Sequence, residues 1–160
     1  MKIAQALNLR KALNDQLNKA LKEASSGAYS QDRLTEETIG SSIDPNEKVK
    51  LFLSISDKLQ SLIAQINYTN SVTKINYNGA SITLTSARVM RDVYAETSKK
   101  LNELPIQAVR SSSTITMYNL LNVPVISASA NSYARISREL DDLIQQTNWQ
   151  IDLLGYEEGN

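Results

Sequence analysis

Carboxylates and arginines are the groups of this chain that could take part in acid–base or ion-binding chemistry. The 160 residues contain neither histidine nor cysteine. Their absence excludes Ser-His and Cys-His catalysis, thiolate metal sites and the commonest zinc sites. The serine run at residues 111–113 has no partner base, and an unactivated hydroxyl is a weak nucleophile. We therefore predict that the chain is not an enzyme and has no catalytic residue, metal site or cofactor.

Composition and charge limit the class of protein and its partners. A hydrophobic content of 41% suits one domain, predicted over residues 1–160, with its own core. Lysine and arginine total 17, and aspartate and glutamate also total 17, so the chain has no net positive charge to attract nucleic acid. We expect no nucleic-acid partner. The polar residues near Met1 do not fit a signal peptide, and the lack of cysteine fits a reducing compartment. We expect a cytoplasmic protein.

Apolar residues at three- and four-residue steps predict four amphipathic helices. Their expected bounds are about 2–24, 45–70, 84–109 and 126–154. The first is followed by a connection without a sustained period, rich in Ser, Thr, Gly and acid, that reaches residue 43. Helix 2 has a strong start, because Asp44 can cap free N–H groups and Pro45 suits the first helical position. Its apolar residues repeat in heptads, as in a coiled coil.

An Asn78-Gly79 pair between alternating hydrophobic residues predicts a β-hairpin over about residues 73–83. In this register Tyr77 faces Ala80 and Ile75 faces Ile82, which gives the hairpin one apolar face. An isolated hairpin is marginal in water, so that face must rest on the rest of the chain or on a second copy.

Helix 3 can be capped by Thr83 or Thr85, and Pro105 should kink or stop it. Residues 114–118 favour an extended conformation, and helix 4 resumes near Ile126. Helices of similar length joined by turns predict an all-α fold, an elongated antiparallel four-helix bundle with one hairpin between helices 2 and 3.

Three short pieces of sequence, Thr69-Asn70, Arg91-Asp92 and Asn148-Trp149, carry a family resemblance. With the opening residues 1–7, the Asn78-Gly79 turn and residues 138–149, they resemble the septicolysin-like family of small bacterial proteins, mostly of unknown function. The resemblance spans most of the chain, but Pro105 and the neutral stretch 114–125 depart from it. It implies a helical fold with a hairpin and self-association, and no established activity.

In an up-down bundle these pieces meet at the end that carries the hairpin. The hypothesis is a polar cluster in which Arg91 or Arg88 pairs with Asp92 or with a ligand anion, and Trp149 forms an apolar wall. The start of helix 3 would add free N–H groups for an anion. The other interpretation is structural, since Arg-Asp pairs at helix starts are commonly local ion pairs. The proposed binding residues are Asn67, Asn70, Arg88, Arg91, Asp92, Asn148 and Trp149.

Two functional classes follow, besides an unfavoured enzyme. The leading one is a structural or interaction module that forms a homo-oligomer or binds another protein, because long apolar seams and a hairpin leave surface to cover. The alternative is a membrane-active, cytolysin-like protein. No apolar segment approaches the roughly 20 residues that a membrane-spanning helix needs. A membrane partner is possible, but nothing in the sequence supports it.

Overall fold

The computed structural model describes residues 1–27, 44–105, 109–112 and 115–155. Within them the chain is mostly helical, with two small antiparallel hairpins. The elements in chain order are α1 (Ile3–Ser26), α2 (Pro45–Val72), β1 (Lys74–Tyr77), β2 (Ala80–Thr83), α3 (Leu84–Asn102), β3 (Val109–Ser112), β4 (Ile115–Tyr118) and α4 (Val123–Gln150). Within the described residues, the prediction of four helices with a hairpin between the second and the third is confirmed. The predicted connection up to residue 43 lies, from residue 28 onwards, outside the described residues.

The starts of the first two helices follow from local hydrogen bonds. At α2 the amide of Asn46 donates to Oδ1 of Asp44 over 2.8 Å, which is the predicted cap. At α1 the amide of Lys2 donates to Oε1 of Gln5 over 2.9 Å. Each bond satisfies a backbone group that the helix itself leaves without a partner.

The first hairpin has the register that the sequence predicts. Ile75 pairs with Ile82 and Tyr77 with Ala80. Asn78 and Gly79 have φ values of 51° and 80°, as a two-residue hairpin turn that follows the strand twist requires. Ile75 is buried within its own chain, so at least this part of the apolar face is covered without a second copy.

Helix α3 corrects the predicted end at residue 109, because it ends at Asn102 and Val109 already belongs to strand β3. Proline at position 105 cannot donate the next helical hydrogen bond, and it disfavours helical geometry in the residue before it. Strand β3 then pairs with β4, with Arg110 opposite Met117. The extended conformation predicted for residues 114–118 is confirmed over Ile115–Tyr118, and residue 114 lies outside the described residues. The second hairpin is not among the predictions from the sequence.

Both ends of α4 differ from the predicted bounds of 126 and 154. The helix begins at Val123, because Pro124 fits in a first turn and Oδ1 of Asn122 accepts from the amide of Val125 over 3.3 Å. It ends at Gln150, because the backbone that follows pairs with the start of the chain. The amide of Ile3 donates to the carbonyl of Ile151, and the amide of Leu153 to that of Met1.

Two compact units divide the chain, one of Met1–Thr69 with Asn148–Asn160 and the other of Asn70–Thr147. The prediction of a single domain over residues 1–160 stays a prediction.

The first unit combines an antiparallel helix pair with the segment that follows α4. Its core cluster consists of Ala6 of α1, Leu62 and Ile66 of α2, and Leu153. Near the other end of α1, Nζ of Lys48 lies 2.6 Å from Oε2 of Glu23. The start of α1 thus lies beside the end of α2, and the end of α1 beside the start of α2.

Helices α3 and α4 pack antiparallel in the second unit. Oγ of Ser98 donates to the carbonyl of Ala130 over 2.8 Å, while the carbonyl of Arg91 accepts from Oγ of Ser137 over 3.1 Å. Between these two bonds the rings of Tyr94 and Tyr133 stack with centroids 5.6 Å apart. The two tyrosines therefore pack against each other where α3 meets α4.

Candidate functional site

Some backbone amides in the first turn of α3 donate hydrogen bonds to other groups of the same chain. Thr83 caps the helix, and its Oγ1 accepts from the amide of Ser86 over 3.1 Å. The amide of Leu84 donates to the carbonyl of Thr73 over 2.9 Å. These two amides are consequently not available to the anion that the sequence hypothesis places at this helix start.

Arg91 forms a three-point contact with two carboxylates of the second unit. Nε and Nη2 both donate to Oδ1 of Asp92, over 2.9 and 2.8 Å. Nη1 donates to Oδ1 of Asp141 on α4 over 2.8 Å. The guanidinium, which points donors in fixed directions, thus connects a neighbour on its own helix with the opposite helix.

The electrostatics of this contact favour a charged arginine. Partial burial lowers the pKa of the Arg91 guanidinium, but the hydrogen bonds from it to Asp92 and Asp141 outweigh that effect, and its pKa is raised above the ordinary value. Two carboxylates surround one guanidinium, so the local charge is negative. Such a site repels an additional anion unless a further cation joins it.

The seven proposed binding residues are distributed over both units. Asn67, Asn148 and Trp149 belong to the first, and the remaining four, Asn70, Arg88, Arg91 and Asp92, belong to the second. Arg91 and Asp92 are in direct contact. The shared binding role of the seven residues stays a prediction.

The burial of these residues is uneven. Asn70 and Asn148 are buried, with 3% and 5% of their surfaces exposed. Oδ1 of Asn70 has no hydrogen-bond partner among the described residues. Trp149 is 59% exposed, so it is not a core residue, and its indole is accessible on the surface of its unit. Arg88 is half-buried and forms no ion pair with any residue that the structure describes.

Sequence reasoning missed two partners of Arg91, namely Asp141 and Ser137. Both lie on α4 four residues apart, so they share one helix face. That spacing is a usable signal once α3 and α4 are known to be antiparallel, because it places a carboxylate and a hydroxyl opposite a single arginine.

The described residues hold no group of three or more carboxylates that could bind a metal ion. Among the helices of the same residues, none is both long enough and apolar enough to cross a membrane.

The chain is similar to proteins of unknown function. The model of a family of unknown function, DUF6847, matches residues 36–153. A crystal structure of a functionally unknown conserved protein from Corynebacterium diphtheriae is similar, with a TM-score of 0.79 and 26% sequence identity. The similarity covers 96% of this chain and 98% of that one. Curated proteins give no match.

Proposed function

We propose that this chain, which belongs to the family of unknown function DUF6847, is an interaction module that self-associates through an apolar surface of its second unit. The surface consists of large apolar side chains between β4 and the first turn of α4, and we call it the apolar tip. Its members are Tyr118, Leu120, Leu121 and Val125.

The exposure of the apolar tip is the observation that supports this proposal. Leu120 is 97% exposed, Tyr118 71% and Val125 57%. Single exposed apolar residues are normal on protein surfaces, whereas a contiguous exposed apolar patch marks an interaction site. The four residues of the apolar tip lie within eight consecutive positions of the chain. Nδ2 of Asn119, between Tyr118 and Leu120, donates to the carbonyl of Pro105 over 2.8 Å and ties this segment to the one that follows α3.

A second copy of the chain is the favoured partner over a lipid surface. The stretch 114–125 carries no charged residue, and the whole chain has as many basic as acidic side chains. Attraction to anionic lipid, which depends on clustered lysine and arginine, therefore has no support at the apolar tip. Burial of apolar side chains against identical ones gives a symmetric contact, the commonest form of self-association.

The proposal retains the sequence predictions of an antiparallel four-helix bundle, a cytoplasmic location and a relationship to the septicolysin-like family. It includes no catalytic activity and takes no cytolytic activity from the resemblance.

Sedimentation velocity over a range of concentrations tests the proposal. The unmodified chain should form a dimer or a larger oligomer, and the variant Leu120→Asn with Val125→Asn should shift it to the monomer. The matched control is Val89→Asn, since Val89 is an apolar residue of the same unit with a similar exposure of 58%. A monomer at all concentrations, or an oligomer that only the control disrupts, overturns the proposal. Dye release from anionic and neutral vesicles by the unmodified chain would instead favour the membrane-active class.

A further inference from the structure

A cleft of about 330 Å³ lies between α1 and α2 in the first unit. Its apolar side is formed by Leu13 and Ala20 of α1 and by Leu51 and Ile55 of α2. Ala20 and Ile55 are buried, while Leu51 keeps 46% of its surface exposed. Binding sites for small molecules typically have volumes of about 300–1,000 Å³ and mainly apolar walls. The cleft has room for roughly ten non-hydrogen atoms, if each takes up about as much volume as a water molecule.

Most of the charged side chains that line the cleft are basic. Lys19, Lys48 and Lys58 carry three positive charges, against one negative charge from Glu23. The net charge of the lining is therefore +2, although the whole chain is neutral. This net charge favours an anion over a cation, and salt weakens the attraction because Lys19 and Lys58 are exposed to solvent.

Glu23 forms ion pairs with two of the three lysines. Its carboxylate lies 2.6 Å from Nζ of Lys48 and 3.8 Å from Nζ of Lys19. The hydrogen bond from Lys48 holds the pKa of the Glu23 carboxyl below its ordinary value, so this carboxyl is ionised at neutral pH. Lys58, in contrast, forms no ion pair with any residue that the structure describes.

We propose that this cleft binds a small amphipathic anion, a carboxylate on a short aliphatic chain, with the anionic group at Lys58 and the chain against Leu13, Leu51 and Ile55. Lys58 supplies the charge that the carboxylate needs, and the apolar wall supplies burial for its hydrocarbon. The net positive lining disfavours a cation, and a neutral alcohol of the same length would gain burial without the ion pair. The proposal does not depend on self-association.

Octanoate is a suitable probe, because its ten non-hydrogen atoms match the space. We expect a nuclear magnetic resonance titration of the full chain to show saturable shifts of backbone amides around residues 13–23 and 48–58. Replacing the lysine, Lys58→Gln, should weaken binding about two- to fivefold, as expected for one accessible ion pair. Charge reversal, Lys58→Glu, should weaken it further, and Lys58→Arg should retain it. Octanol and octylammonium should bind more weakly than octanoate.

Lys11→Glu is the matched control, because Lys11 is an exposed lysine of α1 that does not line the cleft. It changes the net charge by the same amount as Lys58→Glu and should leave octanoate affinity nearly unchanged. Circular dichroism of each variant verifies that it is folded. The proposal is overturned if octanoate does not bind, if its shifts lie outside the cleft, or if the two charge reversals have equal effects.

Discussion

Nη1 of Arg91 lies 2.8 Å from Oδ1 of Asp141, although the two residues are fifty positions apart in the chain. This bond joins α3 to α4, and the same guanidinium also donates to Asp92 on its own helix.

The first prediction concerns this ion pair. Arg91→Met keeps much of the side-chain volume and removes the charge, and we expect it to lower the free energy of unfolding by about 1 kcal/mol. Urea denaturation measures the change. Arg135→Met is the control, because the exposed pair of Arg135 with Glu139 lies within one helix and should contribute under about 0.5 kcal/mol. Equal effects of the two substitutions would contradict a specific role for Arg91.

Close packing of α3 against α4 gives the second prediction. Ala130 is fully buried where its carbonyl accepts from Ser98. Ala130→Leu would force extra atoms into this contact and should cost about 1–3 kcal/mol of stability. Ala128→Leu, at an exposed position of the same helix, should change stability little. Thermal unfolding compares the two, and an unaffected Ala130→Leu variant would show that the helices do not pack closely here.

The turn of the first hairpin gives the third prediction. Gly79 has a φ of +80°, and nothing lies within 4 Å of the position where a Cβ would be added. The cost of Gly79→Ala is therefore purely one of backbone conformation, about 1 kcal/mol. Ser81→Ala, on the exposed face of β2, should be close to neutral. Chemical denaturation of both variants tests this difference, which should vanish if the turn has another conformation in solution.

Acid sensitivity gives the fourth prediction. The hydrogen bond from Lys2 holds the pKa of the Asp152 carboxyl below its ordinary value of 3.8. A carboxyl whose pKa is lower in the folded state binds fewer protons there than in the unfolded state. Its stabilising contribution is thus present above pH 3.8 and is lost as the pH falls through the lower folded pKa.

Urea titrations at a series of pH values detect this contribution. Asp152→Asn should reduce the loss of stability below about pH 4, whereas Asp142→Asn should not, since Asp142 forms no ion pair with a described residue. Identical pH profiles for the unmodified chain and Asp152→Asn would exclude the contact with Lys2 in solution.

Local chemistry explains which parts of the fold could be predicted. The register of β1 and β2 follows from Asn78-Gly79, because positive φ values and alternating hydrophobicity fit only one pairing. The start of α2 follows from Asp44 in the same way. Both signals act over a few residues and do not depend on the rest of the molecule.

Contacts between distant segments could not be predicted from the residues alone. Which carboxylate of α4 pairs with Arg91 depends on how far α3 is shifted along α4, and here the partner is Asp141. Helical periodicity alone does not determine that shift. Strand β3 requires its partner β4, and Val109 by itself gave no sign of it. Of the proposed binding residues, Arg91 and Asp92 could be linked because they are sequence neighbours.

The backbone pairing of Met1 and Ile3 with residues 151–153 has a consequence for biosynthesis. A ribosome must add almost 150 further amino acids before the start of α1 can meet these partners. The second unit, in contrast, is one uninterrupted stretch of nascent polypeptide. All of its amino acids have been joined before Ile151 is added, so its synthesis is complete before that of the first unit.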